Sequence, residues 1–388
     1  MNYLVISPYY PQNFQQFTIE LANKGITVLG IGQEPYEQLD EPLRNSLTEY
    51  FRVENMEDLD EVKRAAAFLF YKHGPIDRIE SHNEYWLELD AALREQFNVF
   101  GAKPKDLKKT KFKSEMKKLF KKAGVPVVPG AVVKTQKDID KAVKKIGLPL
   151  IAKPDNGVGA AATFKLETPE DVDHFKAEWD GHTEYFFEKF VTSSEICTFD
   201  GLVDRDGNIV FSTTFDYAYT PLDLMLYKMD NSYYVLKEMD PKLRQYGEAI
   251  VKAFGMKERF FHIEFFRDGD DYIAIEYNNR PAGGFTIDVY NYAHSIDLYR
   301  GYAAIVAGEP FPASEFEPLY CLATSRRANV AYVLSEDEVL AKYHDQFRVK
   351  KDMPAAFAEL QGDYLYMLTT PSREELEQMI HDFGQRQS

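Results

Sequence analysis

The 388-residue sequence predicts a chain that is α/β at its N-terminus and α+β beyond it. Three observations carry that expectation. Short apolar runs alternate with helical patterns over the first 100 residues, an aromatic-rich hairpin pattern lies between Phe260 and Tyr277, and strand and helix patterns alternate again from Pro318 onward.

In the opening region Tyr3 to Ser7 is an apolar run, Phe14 to Asn23 is helical and stopped by Gly25, and Thr27 to Ile31 is apolar again. The rhythm continues through Leu59 to Lys72 (helix), Ile76 to Glu80 (strand) and Glu84 to Gln96 (helix), ending at Val99-Phe100-Gly101. Such alternation predicts a parallel α/β domain of about 100 residues. No G-x-G-x-x-G follows the first strand, because Gly30-Ile31-Gly32 runs into Gln33-Glu34-Pro35, so dinucleotide binding is not supported. Ligands of a parallel sheet bind beyond the carboxyl ends of its strands. That points to Ser7 to Tyr10 and to Ser81-His82-Asn83-Glu84, where His82 and Glu84 read first as a polar loop with a helix cap and second as substrate contacts.

Composition narrows the class. Asp and Glu number 62 against 46 Lys and Arg, a net charge of −16, which argues against nucleic acid as the main partner. Cys197 and Cys321 are the only cysteines, too few for a disulfide framework or a cysteine zinc site. The first residues lack a basic stretch and a signal-type apolar core, and no 18-residue apolar run occurs, so a soluble cytoplasmic protein without a membrane partner is expected.

Between Lys103 and Lys122 the balance inverts, with ten lysines against Asp106 and Glu115. The segment reads as mostly one helix ended by Gly124 and Pro126, its lysines a solvated basic face. Leu148 to Pro154 is then an apolar strand ending on Lys153, followed by the small-residue loop Asp155 to Ala161. Gly157 and Gly159 let the backbone approach phosphate closely there, and the lysine is a point charge aimed at the same group. No Walker A loop is present. Tyr185 to Val191 and Ile196 to Asp204 read as strands, and Thr213 to Val235 as an irregular substrate-side loop whose Lys228 can face a nucleotide.

Asp240 to Phe254 is helical and leads into the hairpin, Phe260 to Phe266 and Tyr272 to Tyr277 joined by Arg267-Asp268-Gly269-Asp270-Asp271. Glu264 and Glu276 can share one face of it, and Asn278 returns to that face by the two-residue period. Two carboxylates and an amide suit a hard cation such as Mg2+, although alternating charge on a strand also describes a plain solvent face. Ile287 to Ala307 is then helical, Tyr320 to Thr324, Ala328 to Leu334 and Tyr364 to Thr370 read as strands, and Ser372 to Phe383 as a helix. Arg326 and Arg327 read as a surface pair, with a substrate carboxylate as the alternative partner.

Taken together these segments resemble the ATP-grasp superfamily over roughly residues 1 to 312. The resemblance rests on Glu276-x-Asn278-x-Arg280 with Glu264 twelve residues earlier, and on Gly124-Val125-Pro126-Val127-Val128-Pro129 with Lys113 eleven residues before its glycine. Lys153 with its loop and the hinge Glu188-Lys189-Phe190-Val191 with Glu195 complete it. The branch it looks like is that of the carbamoyl-phosphate-synthase large chain and biotin carboxylase. What this implies is an ATP-grasp fold with a Rossmann-like pre-ATP-grasp domain at 1–104, the ATP-grasp domain at 105–312 with its lid at about 126–190, and a small α+β part at 313–388 completing the body. It further implies ATP bound by Lys113 and Lys153 at the phosphates, by the backbone of Gly157 and Gly159, by the hinge Glu188, Lys189 and Val191 at adenine, and by Glu195 at ribose. Lys111 replaces Lys113 if the helix starts slightly earlier. Glu264, Glu276 and Asn278 would hold Mg2+ or Mn2+, and Arg280 with Lys153 would serve catalysis. The chain departs from the family in Phe112, where an Asp is usual, and in Ala160, where Ser or Gly is usual.

The implied activity is an ADP-forming carboxylate-amine ligase working through an acyl phosphate. Bicarbonate as the acid is the alternative within the family, and a non-catalytic ATP-binding regulatory protein is the alternative outside it. Biotin carboxylases carry a Gln and a Glu shortly after the metal-site arginine, whereas this chain continues Pro281-Ala282-Gly283-Gly284-Phe285, which leaves room for a bulkier acid. Its partners would be small carboxylates and amines, and homodimers are common among such proteins.

Overall fold

The computed structural model describes residues 1–387 apart from 157–161, 194, 220–228, 355–357 and 359–360. Its described strands form three sheets. The first holds β1 (Asn2–Ile6), β2 (Thr27–Gly32), β3 (Glu49–Arg52) and β4 (Arg78–Glu80), all parallel, in the order β3-β2-β1-β4. β1 shows why the run Tyr3 to Ile6 is apolar without alternation. Tyr3 and Val5 face a core shared with Ile287, Tyr299 and Tyr302, while Leu4 and Ile6 face a second core with Val62, Ala66 and Leu69. A parallel strand covered on both sides has no solvent face to mark.

The second sheet holds β5 (Gly130–Val133), β6 (Leu150–Pro154), β7 (Phe164–Leu166) and β8 (Tyr185–Lys189), in the order β5-β8-β6-β7. It has its own core, in which Val133, Leu150, Ala152 and Phe187 pack against Ile139, Val172 and Phe175 of two helices. The third sheet is the largest, with nine strands: β9 (Ile196–Val203), β10 (Ile209–Thr213), β11 (Phe215–Tyr217), β12 (Ser232–Val235), β13 (Arg259–Asp268), β14 (Asp271–Asn278), β15 (Tyr320–Arg326), β16 (Phe347–Asp352) and β17 (Tyr364–Thr370). Its order is β14-β13-β9-β11-β12-β15-β17-β16, with β10 on β9. The strands after residue 318 therefore extend the same sheet that carries the hairpin. Among the described residues no helix is long and apolar enough to cross a membrane.

Four local expectations are corrected. The lysine-rich segment is two helices, Pro104–Lys111 and Lys113–Lys122, because Phe112 is extended (φ −92°, ψ 117°) and bridges to Asn156. Ile287 to Ala307 is likewise two helices, Thr286–His294 and Leu298–Val306, parted by Ser295 in the left-handed region (φ 50°) and restarted by the Asp297 cap on Arg300 N–H. Ala328 to Leu334 is not a strand. Only Tyr332 makes a bridge there, to Arg386, before Ser335 caps the helix Glu336–Lys342, and the strand of this region is β16. The span Thr213 to Val235 contains β11 and β12, paired with each other, rather than being irregular throughout; Lys228 lies outside the described residues.

Candidate active site

The site begins with the register of β13 and β14. Asp268 pairs with Asp271 and Phe265 with Ala274, so a regular ladder would next oppose Glu264 to Ile275. Instead the register steps by one, Ile275 becomes the extra residue of a β-bulge, and Glu264 faces Glu276, with His262 facing Asn278. The bulge is what puts both carboxylates and the amide on one face. Facing like charges oppose each other unless a cation lies between them. Among the described residues no three His, Cys, Asp or Glu side chains form a self-sufficient metal cluster. The donor set fits an ion such as Mg2+, which takes few protein oxygens and completes its shell with water and phosphate.

The break at Phe112 sets which lysine faces these acids. Asp155, just beyond β6, caps the second helix: its carbonyl accepts from Lys113 N–H at 2.9 Å, and its carboxylate accepts from Ser114 N–H at 2.8 Å and Ser114 Oγ at 2.6 Å. Lys113 thus stands in the first turn, buried, with Nζ 3.8 Å from Glu276. Lys111 points elsewhere and pairs with Glu88 at 2.8 Å.

Lys153 reaches the cleft from β6 and meets Glu188 of β8 at 2.5 Å. The other oxygen of Glu188 is 3.4 Å from Lys117, whose Nζ also donates to the Ala274 carbonyl at 2.8 Å. Burial opposes the charge on Glu188, yet the two ammonium groups outweigh it and hold the carboxyl at about 2. Burial lowers both lysines; Glu188 and the nearby acids overcome this for Lys153, whose pKa rises, but not for the more enclosed Lys117. Sequence reading assigned Lys117 to a solvated face. The signal that identifies it is its spacing, four residues after Lys113 and so on the same side of the helix.

Of the remaining hinge residues, Lys189 turns its side chain to the Gly147 and Leu148 carbonyls at 3.3 and 3.0 Å, while its backbone N–H donates to Pro129 at 3.0 Å. Val191 is half-buried in the connection to β9. Glu195 is largely exposed, its carboxylate 3.5 Å from Arg267. Gly157 and Gly159 lie outside the described residues.

Behind Glu264 stands a network with no signature in the sequence. Tyr217 donates to Glu264 at 3.2 Å, and His262 Nδ1 lies 2.6 Å from Asp200, which also accepts from Tyr290 at 2.7 Å. Burial disfavours the imidazolium, but Asp200 prevails and pushes His262 up to about 9. Glu264 is pulled the other way: burial would raise it, and the hydrogen bond and charge of His262 lower it below the usual carboxylate range.

On the far side of the face that bears Glu264 and Glu276 lies a cavity of about 720 Å³ at the junction of the first and third sheets. Arg280 opens onto it, with Nε donating to Glu84 at 2.9 Å and a terminal nitrogen to the Pro281 carbonyl at 2.8 Å. Ser7, Tyr9, Tyr10, His82, Asn83 and Glu84, from the carboxyl ends of β1 and β4, line it as the strand-end rule expects. His82 is buried and stacked on Phe17 at 4.1 Å, and burial pulls it down to about 4, so it is neutral. Ser7 and His82 both have positive φ, at 55° and 56°.

Arg326 and Arg327 do not reach this cavity, and they are not a surface pair. Arg326 is buried and donates to the Phe383, Leu334 and Asp382 carbonyls, and Arg327 lies 3.6 Å from buried Asp230.

Residues 146–288 match the model of the ATP-grasp domain. An L-arginine-specific L-amino acid ligase of Bacillus subtilis is 26% identical over 267 residues, 64% of this chain and 64% of that protein. The chain thus covers less than two thirds of that relative's length. The whole chain is similar in fold to an L-amino acid ligase from Bacillus licheniformis (TM-score 0.71, 14% identity, 98% of this chain and 97% of that one). It is also similar to the biotin carboxylase domain of 2-oxoglutarate carboxylase from Hydrogenobacter thermophilus, a structure holding MgADP, ADP and bicarbonate (TM-score 0.70, 17% identity, 100% and 90%).

Proposed function

We propose, from the match of residues 146–288 to the ATP-grasp domain, that the chain is an ADP-forming carboxylate-amine ligase. One observation carries this reading: a face bearing Glu264, Glu276 and Asn278 lies between buried lysines on one side and a roomy cavity headed by Arg280 on the other. Lys113 and Lys153 would carry the phosphates of ATP, Lys153 being held by Glu188 beforehand. Glu188, Lys189 and Val191 would border adenine and Glu195 the ribose. Glu264, Glu276 and Asn278 would hold Mg2+, which neutralises charge and aligns the phosphates for attack. In the first step a carboxylate oxygen of the acid bonds to the γ-phosphorus and ADP leaves. An amine nitrogen then bonds to the acyl carbon, phosphate leaves, and the amine loses a proton. Arg280 would stabilise the negative charge that grows on the acyl oxygen, the kind of stabilisation that costs no rearrangement at the moment of reaction.

The L-amino acid ligases among the similar proteins support an amino acid as one substrate. A second reading, with bicarbonate as the acid, is favoured by the likeness to the biotin carboxylase domain that binds it. ADP release over amino acids, other carboxylates and bicarbonate, each with and without an amine, separates them. Amine-dependent release with organic acids is the expected result. Stimulation by bicarbonate alone would overturn it, and ATP binding without any stimulation would point to a regulatory protein.

A further inference from the structure

The cavity beside Arg280 has a charged end and an aromatic body. At the charged end Arg280 and Glu84 each keep one group in reserve: among the described residues the second terminal nitrogen of Arg280 and the second oxygen of Glu84 carry no hydrogen bond. A guanidinium and a carboxylate side by side, each with one free position, match the carboxylate and ammonium of a zwitterion. The body is walled by Phe14, Trp86, Phe215, Tyr233, Phe285 and Met353. Asp352, the remaining carboxylate of the lining, is exposed to solvent.

Size points the same way. At about 720 Å³ the cavity lies in the range of roughly 300 to 1,000 Å³ that suits sizeable organic ligands, and an ion as small as bicarbonate would leave its aromatic wall wet. Gly283 borders this open space, since a Cβ added there would meet nothing within 4 Å.

We propose that the acid activated here is an α-amino acid with a large apolar side chain, its carboxylate on Arg280, its ammonium on Glu84 and its side chain against the aromatic wall. The proposal rests on the ligase reading above.

The test uses the full chain with MgATP and hydroxylamine as the amine, which turns an acyl phosphate into a hydroxamate without knowledge of the natural nucleophile. Phenylalanine is expected to give kcat/KM about tenfold or more above alanine, arginine, bicarbonate and the des-amino analogue 3-phenylpropanoate. Glu84→Gln should raise KM for phenylalanine and erase its advantage over 3-phenylpropanoate. If both acids fall equally, Glu84 only braces Arg280 and the zwitterion match is overturned. Gly283→Leu should lower turnover of phenylalanine about tenfold and of alanine less than about threefold, since it fills the wall and not the charged end. Turnover best with alanine, arginine or bicarbonate overturns the proposal and leaves a ligase standing. No hydroxamate with any acid, while calorimetry shows ATP bound, overturns both.

Discussion

At the lysine end of the cleft, position is set by charge: Lys153 and Lys117 converge on buried Glu188, and Lys113 approaches Glu276, each reaching the cleft from a regular strand or helix. At the cavity end, position is set by shape. Among the described lining residues Glu84 and Arg280 form an ion pair and His262 is held by Asp200 behind the wall, which is assembled from residues between Ser7 and Leu365. On the proposed reading the first arrangement would serve a ligand of fixed structure and high charge, and the second could be re-cut by single residues for different acids. A charged clamp tolerates little substitution, whereas an aromatic wall tolerates much.

The largest expected effect lies at the seam between the two ends. Glu276→Gln keeps the size of a half-buried side chain and removes one of the two carboxylates proposed to hold Mg2+, so Mg-dependent ADP release should fall about 100-fold or more with little change in melting temperature. Retained activity would refute the metal face. Next, Arg280→Met should lower kcat about 100-fold, the scale of losing one charge-stabilising donor, while ATP affinity measured by calorimetry stays unchanged. A parallel loss of ATP affinity would show that the two ends are not separable.

Lys117→Met tests the lysine end for stability. Removing one partner of a buried ion pair leaves Glu188 with Lys153 alone and should cost about 3 kcal/mol in denaturant unfolding. The same carboxylate gives a pH signature. With its folded pKa at about 2, below the ordinary carboxylate value, Glu188 contributes stability that is present above the unfolded pKa and lost as pH falls through the folded one. Acid titration of stability between about pH 4.5 and 2 should therefore be shallower in Glu188→Gln than in the parent. The smallest effect belongs to Lys111→Ala, which breaks only a surface pair with Glu88 and should cost under about 1 kcal/mol with ADP release unaltered.

The contrast also explains what could be read beforehand. Lys113, Lys153, Glu188 and the hairpin acids stand out in the sequence because each lies in a short stretch that resembles a motif of the ATP-grasp superfamily. Lys117 was missed because its burial depends on Glu188 and Ala274, both far along the chain. The Asp200–His262 pair and the Glu84–Arg280 pair are likewise invisible until sheets close, the second joining residues 196 positions apart. Helix breaks at Phe112 and Ser295 escaped because neither is Gly or Pro; one is fixed by a bridge to Asn156 and the other by a left-handed turn.

The bulge at Ile275 has a further consequence for how this protein can be altered. Because the crossing of Glu264 with Glu276 is pinned inside the ladder, the twelve-residue interval between them measures one particular hairpin and is not itself a requirement. The tip at Gly269-Asp270 lies beyond the pinned pairs. It is therefore an insertion point: a peptide tag or reporter grafted there lengthens the interval yet leaves the two carboxylates facing, and deletion of the bulged Ile275 would leave a regular ladder that still opposes Glu264 to Glu276 at a shorter interval.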